Sequence, residues 1–146
     1  MKTRAFTLIE LLVVIAIIGL LATVVLSAMN KVRERGVDTR RIEDLAEIKN
    51  ALEMYMAENN QYPANLQELS TGSVRYLSIV PTDPAGDPNY DYEYGVSGNR
   101  TDYVIKAYLR TKDRALNTDS DVSVYGVDCN GDDTALLGPY DYCLRP

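Results

Sequence analysis

Few side chains in this 146-residue sequence could do chemistry, because the chain contains no histidine. Histidine is the commonest general base and the commonest metal ligand in proteins. What remains is one acid at the start of an apolar run, Glu10, two cysteines, Cys129 and Cys143, and an oxygen-rich set near the C-terminus. No nucleophile stands beside a base and no phosphate-binding loop occurs, so we predict that the protein is not an enzyme.

The oxygen-rich set consists of Asp119, Asp121, Asp128, Asn130 and Asp132. Carboxylate and amide oxygens are the ligands that calcium prefers. The match to an EF-hand loop is poor, because Asp133 occupies the position of the usual glycine and no glutamate ends the loop. A structural Ca²⁺ is therefore one prediction for this segment. A solvated acidic turn is the other, because Asp, Asn and Gly are also turn-forming residues.

Charge is distributed unevenly along the chain. Residues 1–59 contain eight basic and eight acidic side chains, whereas residues 60–146 contain seven basic and thirteen acidic ones and carry the whole net charge of −6. A domain with this charge repels phosphate backbones. We therefore expect no direct binding of nucleic acid.

The N-terminal part of the chain is predicted to be one long helix. Residues 11–30 carry no charge, and with the apolar residues before them they can cross a hydrocarbon core of about 30 Å. An ordinary secretory signal has a shorter apolar region, of roughly 7–15 residues. No proline occurs before Pro63, and apolar residues continue to recur every three or four positions. These are Ile42, Leu45, Ile48, Leu52 and Tyr55. A single helix over about residues 6–59 follows, apolar all round in its first half and amphipathic in its second.

Glu10 lies inside the apolar part of this helix. A carboxylate within lipid costs roughly 2.5–3.5 kcal/mol or more, and acids retained there tend to be functional. The alternative is that Glu10 marks the interfacial end of the helix, where the helix dipole favours an acid. The helix pattern alone leaves both interpretations open.

The stretch Ala5–Ala22, AFTLIELLVVIAIIGLLA, resembles the class III signal and N-terminal helix of type IV pilins and type II secretion pseudopilins. The resemblance implies that a prepilin peptidase cuts between Ala5 and Phe6 and methylates the new amine of Phe6. It also implies that Glu10 pairs with that amine on a neighbouring subunit during assembly. Two positions depart from the family pattern: Ala5 replaces the usual glycine before the cut, and Ser27 replaces a proline found in many members.

The predicted fold is α+β and type IV pilin-like, with one long N-terminal helix packed on a small antiparallel sheet. Residues 1–5 are expected to be a leader peptide, 6–30 the transmembrane and filament-core half of the helix, 31–59 its amphipathic half, and 60–146 a globular head. Within the head, alternation or β-branched residues predict strands over 90–94, 103–109 and 122–127, and a short helix over 65–69.

The resemblance places the head outside the cytoplasm, where Cys129 and Cys143 are expected to form a disulfide. A simple positive-inside count disagrees, because two basic residues precede the apolar run and five follow it. The five are Lys31, Arg33, Arg35, Arg40 and Arg41. We side with the family orientation, and the sequence alone does not explain the disagreement.

The expected function is that of a structural subunit which polymerises into a type IV pilus-like filament after leader cleavage. Alternatives are a major pseudopilin of a type II secretion system and a competence-type pseudopilin for DNA uptake. The implied partners are further copies through the N-terminal helices, prepilin peptidase, inner-membrane assembly machinery, and membrane lipid before assembly. The precursor is expected in the inner membrane, and the filament on the cell surface or across the envelope.

Overall fold

The computed structural model describes residues 7–131 and 139–146. It contains the helix α1 (Leu8–Asn59) and the strands β1 (Glu93–Val96), β2 (Tyr103–Leu109) and β3 (Tyr140–Leu144). Three short 3-10 helices lie at Leu66–Leu69, Pro88–Tyr90 and Arg114–Asn117. The predicted α+β, pilin-like architecture of one long N-terminal helix and an antiparallel sheet is confirmed.

The end of α1 is specified locally. Asn60 adopts a left-handed backbone with φ of 55°, and its N–H donates to the carbonyl of Met56 at 2.9 Å. Asparagine is one of the few residues that tolerate this conformation after a helix. Pro63 follows three residues later and cannot continue the helix.

The chain divides after Glu34 into two compact units, Met1–Glu34 and Arg35–Pro146. In the first unit, the large apolar side chains that the structure describes along α1 are exposed, from Leu8 through Val32. The second unit has a buried core of its own. The predicted division at residue 30 stays a prediction, since the compact units describe packing and not membrane position.

The core of the second unit lies between α1 and one face of the sheet. Leu45, Ile48 and Leu52 of the helix are fully buried against a cluster that includes Ile105 and Leu109 of β2. The remaining two residues of the predicted stripe, Ile42 and Tyr55, are partly buried against the same cluster. The helical spacing thus identified the face that packs on the sheet.

The sheet has the order β1-β2-β3, and both pairs of strands are antiparallel. Its central strand β2 matches the predicted strand over 103–109. The opposite face of β2 is also covered, because Val104 packs in a second buried cluster with Val127, Cys129 and Cys143. The segment that carries the disulfide therefore covers the back of the sheet.

The predicted strand over 122–127 is wrong. Tyr125 and Gly126 have positive φ angles of 53° and 81°, which reverse the chain and leave only an isolated bridge between Val124 and Val127. The third strand is instead β3, which was not predicted.

The predicted strand over 90–94 is correct only at its end. The Asp87 side chain accepts a hydrogen bond from the N–H of Asn89 and caps the short helix Pro88–Tyr90, so pairing begins at Glu93. The predicted short helix over 65–69 is present as the 3-10 helix Leu66–Leu69.

Candidate functional site

The start of α1 is held by a reciprocal pair of side chains. The N–H and hydroxyl of Thr7 donate to a carboxylate oxygen of Glu10 at 2.9 and 2.6 Å, while the Glu10 N–H donates to the Thr7 hydroxyl oxygen at 3.3 Å. This is a capping box, in which two otherwise unsatisfied backbone N–H groups are paired. Thr7 was not among the predicted site residues, although the spacing Thr-x-x-Glu before an apolar run is the known signature of such a cap.

Beyond this cap the helix presents apolar surface on every side. Leu8 is 77 % exposed, Leu20 68 % and Leu26 66 %. One helix of the described part of the chain, α1, is long and apolar enough to cross a membrane, a criterion that rests on length and composition only. A surface of this size marks a place where lipid or other protein binds.

The residues of the predicted processing site, Ala5 and Phe6, lie outside the described residues. Their roles stay predictions. Glu10 is described, and within one chain its carboxylate is engaged by Thr7. In the isolated chain, Glu10 thus caps the start of α1. This contact does not test the predicted pairing of Glu10 with the amine of a neighbouring subunit.

The cations that follow the apolar run have very different surroundings. Arg41 is fully buried: its Nε and Nη2 approach one oxygen of Asp83 at 2.7 and 2.6 Å, and its Nη1 donates to Asp38 at 2.9 Å. Arg40 is exposed and pairs with Asp44 at 2.9 Å and more loosely with Glu43 at 3.6 Å. Lys31, Arg33 and Arg35 are exposed and form no ion pair with any residue that the structure describes.

Asp38 is the centre of the buried cluster. Besides Arg41, its carboxylate accepts hydrogen bonds from the N–H of Arg110 at 3.0 Å and from the N–H and hydroxyl of Thr111, both at 2.7 Å. Asp83 in turn accepts the N–H groups of Ala85 and Asp87 at 3.1 Å. These hydrogen bonds connect one face of α1 to the end of β2 and to residues 81–91, the proline-containing loop.

Tyr90 adds cation–π contacts to this buried cluster. The guanidinium carbons of Arg41 and Arg110 lie over its ring, 4.8 and 4.7 Å from the ring centroid. The face of an aromatic ring attracts a cation. The proline-containing loop, residues 81–91, is therefore fixed to the helix by both charge and stacking.

The expected disulfide between Cys129 and Cys143 is present. Beside it, the Nζ of the buried Lys106 donates to the carbonyl of Asp128 at 2.9 Å and to the Tyr108 hydroxyl at 2.7 Å. Burial alone would lower the pKa of Lys106, but the Tyr108 hydroxyl and the carboxylates of Asp141 and Glu93 raise it above its usual value. The lysine stays charged and fixes the covalently closed segment on the back of the sheet.

The predicted calcium ligands are only partly described, and the calcium site stays a prediction. No group of three or more His, Cys, Asp or Glu side chains in residues 7–131 and 139–146 is placed to hold a metal ion. Asp128 accepts from the Ser123 hydroxyl at 2.7 Å and from the Asn130 N–H at 3.1 Å, and Asp119 accepts from the Cys143 N–H at 3.2 Å. Asp121 is exposed, and Asp132 lies outside the described residues.

The sequence matches both a family model and individual known proteins. Residues 1–26 match the prokaryotic N-terminal methylation motif. The type II secretion system core protein G of Aeromonas hydrophila is 30% identical over 135 residues, which are 83% of this chain and 91% of that protein. The chain belongs to the family of type II secretion system core protein G.

Other members of the core protein G family align over shorter segments. The protein of Klebsiella pneumoniae is 37% identical over 63% of this chain and 74% of its own length. That of Escherichia coli K12 is 37% identical over 63% of this chain, and the aligned part is 60% of its own length. No solved structure matches the chain.

Proposed function

We propose that this chain is a structural filament subunit of the pseudopilin class, made as a membrane-anchored precursor and polymerised through its N-terminal helix. One observation carries the proposal: α1 is apolar and exposed on all sides for about twenty residues and opens on the acid Glu10. Such a segment is stable only in lipid or among helices of its own kind.

The relatives add the biological setting. They are named core proteins of the type II secretion system, so we propose that the filament is a pseudopilus that serves protein secretion. The N-terminal match supports prepilin peptidase as the processing enzyme, with cleavage between Ala5 and Phe6. The precursor would be anchored in the inner membrane, with its disulfide-bonded head on the oxidising side.

The role proposed for Glu10 is to neutralise the new Phe6 amine of a neighbouring subunit. Within an apolar helix bundle an unpaired ammonium is costly, and Glu10 is the acid nearest in sequence. Such a pair would set the register between neighbouring helices.

Three variants separate charge from capping at this site. Glu10→Gln keeps an acceptor for Thr7 but removes the charge, Thr7→Ala removes the cap but keeps the charge, and Glu34→Ala is the matched control, an exposed acid of α1 beyond the apolar run. We expect all three to insert in the membrane and lose the leader, as measured by mass spectrometry. Glu10→Gln should assemble poorly, and normal filament yield from it would contradict the proposed pairing.

Gold-labelled antibody against the head, applied to cells with and without the gene, decides the class of filament. Label confined to the envelope, with loss of protein secretion in the deletion, supports the pseudopilus. Long labelled surface filaments that vanish in the deletion would instead make the chain a pilin.

A structural Ca²⁺ in the C-terminal loop stays a prediction, supported only by the oxygen-rich residue types. If it binds, millimolar Ca²⁺ raises the melting temperature of the full chain in detergent, Mg²⁺ does not, and the Asp128→Asn variant loses the effect. An unchanged melting temperature in Ca²⁺ would favour the solvated acidic turn.

A further inference from the structure

The apolar run of α1 ends in a short block of exposed charges. This basic block consists of Lys31, Arg33 and Arg35, interrupted only by Glu34, and all four side chains are exposed. Its three cations form no ion pair with any residue in the described part of the chain. Arg40 and Arg41, which follow the block, are instead paired with neighbouring acids. The block is thus a charged surface without a partner among the described residues.

The cations of the basic block lie on different sides of the helix. At roughly 100° per residue, Arg35 lies about 40° from Lys31 around the helix axis, whereas Arg33 lies about 160° from Lys31. A protein that packs on one face of α1 would leave at least one of these charges unmatched. A layer of lipid headgroups surrounds a membrane-crossing helix, so it can reach all three.

The basic block also lies at the depth of the headgroups. The uncharged residues 11–30 span about 30 Å as a helix, which equals the thickness of the hydrocarbon core. Residues 31–35 extend about 7 Å further, which is close to the thickness of the headgroup layer on one side. Lys and Arg side chains at such positions bury their aliphatic stems beside the lipid and keep the charge at the interface.

We propose that the basic block binds the phosphate groups of anionic phospholipids in the outer leaflet of the inner membrane and so retains the unassembled subunit there. This proposal rests on the proposed function, which has a membrane-anchored precursor with its head outside the cytoplasm. Three cations and one acid give the block a net charge of +2. Residues 60–146 carry −6 and are repelled by the same lipid surface, so the attraction is confined to the block.

This contact accounts for the unexpected cations behind the apolar run. Two of the five, Arg40 and Arg41, serve the fold of the head. The remaining three oppose export of the head by a positive-inside count. Once the head is outside, anionic headgroups stabilise these three charges, which gives them a use on that side of the membrane.

The test uses the full chain in detergent micelles that contain phosphatidylglycerol and phosphatidylcholine in equal amounts. Native mass spectrometry counts the lipids of each kind that stay bound to the chain. Arg33→Gln with Arg35→Gln removes two charges from the block, and Arg33→Lys with Arg35→Lys keeps them. The matched control, Arg75→Gln with Arg114→Gln, removes two exposed arginines of the head that form no ion pair with described residues.

The expected preference follows from the net charge of the block. A cation at an anionic surface contributes about fivefold to binding, so a charge of +2 predicts that the original chain retains phosphatidylglycerol about 25-fold over phosphatidylcholine. The Gln pair makes the block neutral and should abolish this preference, whereas the Lys pair and the head control should keep it. Salt at about 0.5 M should weaken the preference of the original chain, because it screens exposed charges.

Equal retention of the two lipids by the original chain would overturn the proposal, as would an unchanged preference in the Gln pair. An equal loss in the head control would also overturn it, because binding would then follow the total charge and not the block.

A cross-linking experiment identifies the partner of the block in cells that lack the assembly machinery. A photoreactive residue in place of Val32, which is 69 % exposed, should yield lipid adducts. Adducts with protein alone would assign the block to a protein partner, and the proposal would be wrong. These results leave the proposed function standing, since Glu10→Gln tests it separately, whereas failure of the original chain to insert in the membrane would remove both.

Discussion

The buried ion cluster of the head makes a sharp prediction about stability. Replacement of Arg41 by methionine keeps the length and the apolar stem of the side chain but removes its guanidinium. Asp38 and Asp83, whose side chains are 1 % and 0 % exposed, would then both lose their shared cation. Loss of one partner from a buried ion pair costs about 3–5 kcal/mol, because the remaining charge stays buried.

The structure places the expected value at the lower end of this range, about 3 kcal/mol. Asp38 would keep its bonds to the N–H groups of Arg110 and Thr111, and Asp83 would keep those to Ala85 and Asp87. These N–H donors compensate part of the lost charge interaction. Since a typical domain has a free energy of unfolding of about 5–15 kcal/mol, the loss would be a large fraction of the total.

The assay is urea unfolding of the full chain in detergent micelles, followed by near-ultraviolet circular dichroism of the eleven tyrosines, which all lie after residue 34. With a denaturant slope of about 2 kcal/mol per molar, the midpoint for Arg41→Met should fall by about 1.5 M. Arg35→Met, at an exposed arginine of the same helix that forms no ion pair with any described residue, is the control and should change the free energy of unfolding by less than about 0.5 kcal/mol. Equal shifts for the two variants would refute the reasoning.

Three further predictions concern other parts of the head. Replacement of Cys129 and Cys143 together by serine should lower the free energy of unfolding in urea by about 3 kcal/mol, the chain-entropy value for a loop of this length, and an unchanged midpoint would contradict this. Gly95→Ala should destabilise by about 1–3 kcal/mol, because the new Cβ would lie 2.7 Å from a backbone oxygen. Gly98→Ala, with no atom within 4 Å, should not, and equal melting temperatures would contradict this. Burial and the charge of a nearby carboxylate raise the pKa of Tyr103, so the folded state keeps a proton that the unfolded state releases above about pH 10. Stability should therefore fall as the pH rises beyond 10, and less so in Tyr103→Phe, as followed by tyrosinate absorbance.

The features predicted from sequence were those with a local pattern. The apolar run, the three-and-four spacing that ends at Tyr55, and the alternation in β2 each specify an element without help from distant residues. β3 has no such signal, because Tyr140–Leu144 mixes an acid and a cysteine with apolar residues and becomes a strand only by pairing with β2. Conversely, residues 122–127 have the composition of a strand, but the turn at Tyr125 and Gly126 prevents pairing.

The residues of the candidate site also divide into those with a local signal in the sequence and those that depend on distant residues. Glu10 was recognisable because an acid in an apolar run is exceptional, and its partner Thr7 could have been found from the capping pattern. The burial of Arg41 could not, because it depends on Asp83, which is 42 positions away. In sequence, Arg40 and Arg41 are equivalent members of a basic cluster, and only the folded head distinguishes the exposed cation from the buried one.

This distinction between exposed and buried cations shows how one helix can carry both the apolar run and the packing face of the head. Toward its C-terminal end, the buried face of α1 consists of apolar residues such as Leu45 and Leu52, which pack on the sheet. Nearer the apolar run, the buried positions are instead polar, at Asp38, Arg41 and Asp44. The ion pair between Arg41 and Asp83 forms only when the loop that carries Asp83 is in place on α1. It fixes where along the helix the head begins, because a shift of the loop along α1 would leave buried charges unpaired.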